Sequence, residues 1–311
     1  MADTHDAYPD AREVDGWCQE VLRRAEGARL KATILDDEVY DSRLGVRHTK
    51  GAYVRFKSVS LGSFYGFWQP CPSGRGPLLV HLPGYSADVS AHPELVADGY
   101  NVLHASPLGY ATPRGPDESK RVNGNWPVMG DTIKSCGERG YVDWLAQAAA
   151  AALWGLRQKC VERGRFAVFG TSQGGGTALM LASILRERGV RAVAADEPFL
   201  VNYPVSIRAK ASSAYALVSG ALAEVETEHP EDLGAAWRAL GFADAICHAH
   251  RLAMPVLLTA GTADVTCPPA GIRPLFERLP GTRAYVEMAG QAHGYTTPFL
   301  HLARAWFRLY V

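Results

Sequence analysis

Serine, aspartate and histidine occur along this chain in an order and in settings suited to acyl-transfer chemistry. Gly170-Thr171-Ser172-Gln173-Gly174 follows the apolar run Phe166-Ala167-Val168-Phe169 and opens a helical pattern of small and apolar residues. This matches G-x-S-x-G, a tight strand-to-helix turn that holds a serine hydroxyl above the end of the strand. Side chains at Gly170 and Gly174 would collide with the neighbouring strand and helix as the turn tightens. The pentapeptide alone has limited specificity, because glycine-rich turns of this kind also bind phosphate or simply pack.

A serine hydroxyl is a poor nucleophile at neutral pH. It needs a histidine to take its proton and a carboxylate to hold that imidazole in the right tautomer. Asp264 follows the apolar stretch Pro255-Val256-Leu257-Leu258-Thr259 and a short turn, and His293 lies in Gly290-Gln291-Ala292-His293-Gly294 beyond the last apolar strand pattern. Catalytic residues Ser172, Asp264 and His293 are therefore expected, in that chain order. Asp196, after another strand, is the rival acid and ranks behind Asp264 because the acid ordinarily follows the later strand. The backbone N–H of Gln173 faces a developing oxyanion from a helix start, and the N–H of Tyr85, in His81-Leu82-Pro83-Gly84-Tyr85, is the second expected donor. The competing reading of Pro83-Gly84 is an ordinary tight turn. Trp126, Phe199 and Tyr295 are weak candidates for lining the pocket, each read first as packing and only second as recognition.

The elements that must position these residues follow from periodicity. An amphipathic helix is expected over 12–30, and antiparallel strands over 38–70, where aromatic residues recur at a period near two. Short, fully apolar strands at 78–82, 100–105, 166–169, 192–195, 256–259 and 284–288 alternate with or precede helical patterns at 141–163, 173–188, 268–279 and 294–309. That alternation specifies an α/β fold with a mostly parallel, doubly wound sheet, whose ligands sit at the C-terminal strand ends. Residues 106–140, rich in Gly, Pro, Asn and Ser, are too long for a plain connection and read as a functional loop. Residues 199–245 read as a helical cap insertion. The expected organisation is a helical extension over 1–35 and a single domain over 36–311.

Composition narrows the function class. The 311 residues are 47% hydrophobic and carry 32 basic and 32 acidic side chains, so no field favours nucleic acid or an anionic membrane. The start of the sequence has no signal-like apolar segment, and no run approaches the length that spans a bilayer. A cytoplasmic protein acting on a small molecule is expected. Cys18, Cys71, Cys136, Cys160, Cys247 and Cys267 form no C-x-x-C pair and read as free thiols. Cys267 lies near the candidate aspartate but is not needed as a second nucleophile. Among the histidines, His48, His92, His229 and His301 read as surface groups, and His81 and His104 as packed core groups. His248 and His250 are two apart, a poor spacing for a metal pair on one helix face. No metal and no cofactor is expected.

With these residues in hand, the chain resembles the acetyl xylan esterase and cephalosporin C deacetylase family of α/β-hydrolases over about residues 35–311. The resemblance rests on Pro83-Gly84-Tyr85, GTSQGGG at 170–176, Asp196-Glu197-Pro198-Phe199-Leu200, Asp264-Val265-Thr266-Cys267-Pro268-Pro269 and His293. The chain lacks the family's Arg-Gly-Gln after the strand at 100–105, has Pro83 where the family has histidine, and has Gly294 after His293. The resemblance implies an α/β-hydrolase fold and a metal-independent serine esterase that removes a short, acetyl-type acyl group from a small ester through an acyl-enzyme. It also implies, from some relatives, a homo-oligomer. The alternatives are a non-catalytic ligand-binding module of this fold and a C–C hydrolase or lyase using the same three residues.

Overall fold

The computed structural model describes residues 7–35, 50–85, 89–121, 126, 139–211, 214–294 and 296–311. Its first elements are helix α1 (Ala11–Gly27) and strands β1 (Lys31–Leu35), β2 (Ala52–Ser58), β3 (Gly62–Gln69) and β4 (Gly76–Leu82). Helix α2 (Pro93–Ala97), β5 (Asn101–Ser106), the short β6 (Ala111–Thr112) and β7 (Gly115–Pro116), α3 (Arg139–Leu156), β8 (Val161–Thr171), α4 (Gln173–Ile184) and β9 (Val190–Asp196) follow. Then come α5 (Tyr203–Arg208), α6 (Ala214–Glu228), α7 (Leu233–Phe242), β10 (Val256–Gly261), α8 (Pro269–Arg278), β11 (Arg283–Met288) and α9 (Thr297–Tyr310).

Nine strands form one sheet in the order β1-β2-β3-β5-β4-β8-β9-β10-β11, and β6 and β7 make a separate ribbon. The six strands from β5 across to β11 are mutually parallel, while β1, β2 and β3 join antiparallel at the β5 edge. The parallel part coincides with the six apolar runs. The inner strands of that part are buried on both faces and are largely apolar, while β11 at the edge is mostly half-buried and carries Arg283 and Glu287. Along β4 and β8, Leu78, Val80, Phe166 and Val168 join the core beneath α1, α3 and α4, whereas Leu79, Ala167 and Phe169 pack with α2 and α9 on the opposite face.

Several boundaries move, each for a local physical reason. The helical pattern expected to reach 163 stops at Leu156, and β8 has already begun at Val161. The N–H of Gly76 and the Asn101 amide both donate to the Cys160 carbonyl, at 3.0 Å each, and hold it in sheet register. Helix α4 ends at Ile184 rather than 188, giving way to a 3-10 turn closed by Gly189 at φ 87°. The last helix starts at Thr297 because Thr296 caps it, accepting from the Phe299 N–H at 3.4 Å. Lys31–Leu35, inside the stretch expected as a helical extension, is instead the edge strand of the sheet, paired with β2. Helix α1 packs on α3 and α4 and is stapled at its start by reciprocal Asp10 and Glu13 bonds.

Candidate active site

β8 runs to Thr171 at the centre of the sheet, and the chain then reverses within one residue into α4. Ser172 at that turn has φ 58° and ψ −123°, a conformation costing about 1–3 kcal/mol for a non-glycine residue unless its surroundings impose it. The Ser172 N–H donates to the Asp196 carbonyl at 2.8 Å, and the Ser172 carbonyl accepts from Phe199 N–H at 2.9 Å. The glycines behave as the motif demands. A Cβ on Gly170 would lie 2.5 Å from the Gly174 carbonyl carbon, and one on Gly174 would lie 2.2 Å from the Leu82 oxygen.

The structure brings Ser172, His293 and Asp264 into one hydrogen-bonded series. His293 Nε2 lies 2.9 Å from Ser172 Oγ, and His293 Nδ1 lies 2.8 Å from Asp264 Oδ2. The other Asp264 oxygen accepts from the N–H groups of Thr266 at 2.7 Å and Cys267 at 2.8 Å. With Oδ1 saturated by backbone donors, Oδ2 is left to the imidazole, which fixes the tautomer with Nδ1 protonated and Nε2 facing the serine hydroxyl. Burial alone would raise the Asp264 pKa, but the His293 contact and the two N–H groups outweigh it and hold the carboxyl below its usual range. Burial opposes charge on His293, yet the Asp264 carboxylate, with Glu197 and Asp196 behind it, raises the imidazole above its ordinary value. A histidine tuned in this way accepts a proton readily and holds it as an imidazolium.

Asp196, the rival acid, is spent elsewhere. It is fully buried and accepts from the hydroxyls of Thr171 and Thr259, and burial pushes its carboxyl up to about 7. Cys267 is buried with its thiol against the Ser172 hydroxyl, and burial pushes that thiol well up, away from the nucleophilic thiolate. Ligand atoms of Asp264, Cys267 and His293 lie within 4.8 Å of one another, and an exposed group, His229, Glu231 and Asp232, does the same. In the first group the Asp264 and His293 atoms already bond each other.

Of the expected oxyanion residues, Gln173 begins α4 and is buried, its side-chain amide donating to the Tyr141 hydroxyl at 3.3 Å. The loop carrying Tyr85 crosses the elbow. A Cβ on Gly84 would be 3.4 Å from the Thr171 oxygen and 4.0 Å from Ser172 Cβ. Tyr85 itself is half exposed and donates its hydroxyl to the Trp126 carbonyl at 3.0 Å. Trp126 is buried, stacked on Tyr110 and covered by the Arg121 guanidinium. Phe199 is buried edge-on against Tyr215 and Tyr203, a packing environment. Tyr295, His48 and Cys136 lie outside the described residues.

One histidine expectation changes. His92, read as a surface group, is buried with its ring 4.3 Å from that of His81, because the segment before α2 turns inward over Phe169. His248 and His250 diverge: His248 is buried between Ser183 Oγ and the Phe242 carbonyl, 2.9 Å from each, while His250 is exposed beside Asp15. Sequence reasoning missed Glu197 as a neighbour of His293. Its signal was an acidic doublet, Asp196-Glu197, at the end of a parallel strand.

A serine elbow at the end of the central strand of a mostly parallel sheet, with helices on both faces, defines an α/β-hydrolase-fold protein. A family model for acetyl xylan esterase (AXE1) matches residues 54–309, and the chain belongs to that family. It is accordingly an esterase of the serine carboxylic ester hydrolase class. Among solved structures, acetyl xylan esterase 1 from Thermoanaerobacterium sp. JW/SL YS485 is 21% identical with a TM-score of 0.78, covering 96% of this chain and 94% of its own. The acetyl xylan esterase from Paenibacillus sp. R4 is 19% identical with a TM-score of 0.76, covering 100% and 99% respectively. A puromycin hydrolase shares the fold over 83% of this chain and 39% of its own, at 20% identity and a TM-score of 0.60. No curated protein matches the chain. Among the described residues no helix is long and apolar enough to cross a membrane.

Proposed function

We propose that the protein removes a short, acetyl-type acyl group from a small ester, with Ser172 as nucleophile, His293 as general base and then acid, and Asp264 orienting the imidazole. The observation that carries this reading is the unbroken series from Asp264 Oδ2 through His293 to Ser172 Oγ, with contacts of 2.8 and 2.9 Å. Ser172 Oγ attacks the acyl carbon as its proton passes to His293 Nε2, and the carbonyl oxygen becomes an oxyanion facing the N–H groups of Gln173 and Tyr85. The imidazolium protonates the departing alkoxide, leaving the acyl group on Ser172. Water then gives a proton to Nε2 and attacks the acyl carbon. Return of that proton to Ser172 Oγ releases the acid and restores the serine. No metal or cofactor enters the scheme.

The segment 199–245, as a cap in a single domain running from 36 to 311, would shape the acyl pocket, with Trp126, Phe199 and Tyr295 as its weaker contributors. A cytoplasmic location and a homo-oligomer belong to the same proposal, read by fractionation and by light scattering. Replacing Ser172 by Ala is expected to lower kcat on p-nitrophenyl acetate by about five to six orders of magnitude with the fold intact, and to abolish labelling by a fluorophosphonate. Wild-type turnover in that variant would refute the role of Ser172.

A further inference from the structure

We infer that Glu197 is a positioning residue of this site: a second buried carboxylate that ties down the loop carrying His293 and faces its Nδ1. The inference rests on the esterase reading of Ser172, Asp264 and His293 and goes beyond it. Glu197 is fully buried and follows β9 at φ 42°, a left-handed conformation that a glutamate adopts only when its surroundings impose it. Its N–H is held by the carbonyl and hydroxyl of Thr259, at 3.2 and 3.3 Å.

The side chain then reaches across to 290–294. Oε2 accepts from the Gly294 N–H at 2.8 Å, and Oε1 accepts from the Gln291 side-chain amide at 2.8 Å. These two contacts bracket His293 in sequence. The same Oε2 lies 3.5 Å from His293 Nδ1, on the side already occupied by Asp264. Gly261, at the end of β10, makes the room. A Cβ there would lie 2.6 Å from Glu197 Oε1 and 2.4 Å from the Gln291 carbonyl. A buried carboxylate that only filled space would be costly, whereas one saturated by two N–H donors and set beside a transient cation is compensated.

Glu197 therefore acts twice, through geometry and through charge. It holds the Gly294 backbone and the Gln291 side chain on either side of His293, and its negative charge stabilises the imidazolium that forms as Ser172 attacks. The charged and titratable groups facing His293 are Asp264, from the turn between β10 and α8; Glu197 and Asp196, from the end of β9; and the Cys267 thiol, beside Asp264. Of the three carboxylates, Asp264 bonds Nδ1 directly, Glu197 stands behind it, and Asp196 is occupied by two threonine hydroxyls.

The charge and the tether can be separated. In Glu197→Gln the new amide still accepts from Gly294 N–H, and Gln291 can rotate its own amide to accept from it. The loop keeps its ties while the charge is gone. Glu197→Ala removes both. The test titrates the His293 ring by NMR in the full chain and follows kcat and KM against pH on p-nitrophenyl acetate.

Loss of a charge that favours the imidazolium lowers the His293 pKa. The ring resonance and the acid limb of kcat/KM should then move together to lower pH by about one unit in Glu197→Gln. In Glu197→Ala kcat should also fall by about 10- to 100-fold with little change in KM, as expected when a catalytic group is misplaced. A Glu197→Gln protein with a wild-type circular dichroism spectrum and an unmoved His293 titration overturns the inference. Should that variant not fold, Gln291→Met removes one tether from the outer side and should lower kcat by up to about tenfold at unchanged KM; unchanged kcat there overturns it equally. Should the wild type hydrolyse no ester, the enzymatic reading fails, while the His293 titration still decides the role of Glu197.

Discussion

Histidines near the elbow occupy two opposed environments. His293 stands at the rim with Asp264 on Nδ1 and two further carboxylates nearby, and its pKa is raised despite burial. His81, His92 and His104 lie on the far face of β4 and β5, next to Phe169. There, His81 Nδ1 meets His104 Nδ1 at 2.9 Å, Ser90 N–H donates to His104 Nδ1 at 3.3 Å, and the Nε2 atoms of His92 and His104 have no partner among the described residues. Burial holds His92 and His104 down to about 3, and burial with the neighbouring imidazoles holds His81 well below 6.5. The side chain is the same, and burial opposes its charge in both places, more completely on the far face, where the three rings are buried while His293 is half-buried. The further difference is a buried carboxylate to receive the proton's charge, and the two together decide whether a histidine is poised to take up a proton or stays a neutral packing group.

The largest test of that contrast removes the rim histidine. His293→Ala is expected to lower kcat by about five to six orders of magnitude while leaving thermal stability near wild type. Retained turnover would put the base elsewhere. Next comes the partner that sets the contrast. Asp264→Asn keeps the shape but favours the wrong tautomer, and kcat should fall by about four orders of magnitude. A loss below tenfold would mean that Glu197 or Asp196 can replace it.

The smallest effect concerns the far face and is read as stability rather than rate. The unfolded imidazoles take up protons near 6.5, whereas the folded ones wait until about 3 for His92 and His104. Between those values the unfolded chain binds more protons, so the stability is whole above about 6.5 and is lost as pH falls toward 3. His92→Leu removes one such group without breaking any side-chain hydrogen bond of that ring seen among the described residues. Tm measured from pH 7 down to pH 4 should therefore fall less steeply than in the wild type, with kcat unchanged; an equal or steeper fall would remove this cluster as the source of acid sensitivity.

Much of this architecture was legible in local patterns. Five of the six apolar runs became inner parallel strands because a strand buried on both faces has few polar positions, and the sixth became the half-buried edge strand β11. The elbow was readable because Gly170 and Gly174 have no space for a Cβ. Helix ends were less legible, since the Cys160 carbonyl and the Gly189 turn answer to bonds and conformations outside the helical period. His92 was misread because a polar sequence context says nothing about a segment folding inward over Phe169. Lys31–Leu35 carries too little contrast to announce an edge strand.

By itself the sequence determined the parallel sheet and the serine turn, because strand burial and glycine-dependent turns are written in neighbouring residues. Tertiary structure alone decided that Asp196 is absorbed by threonine hydroxyls and that Glu197 reaches Gly294 from 97 residues away. Proton affinity is set by charges and donors a few ångströms off in space, and those distances exist only once the strands are side by side.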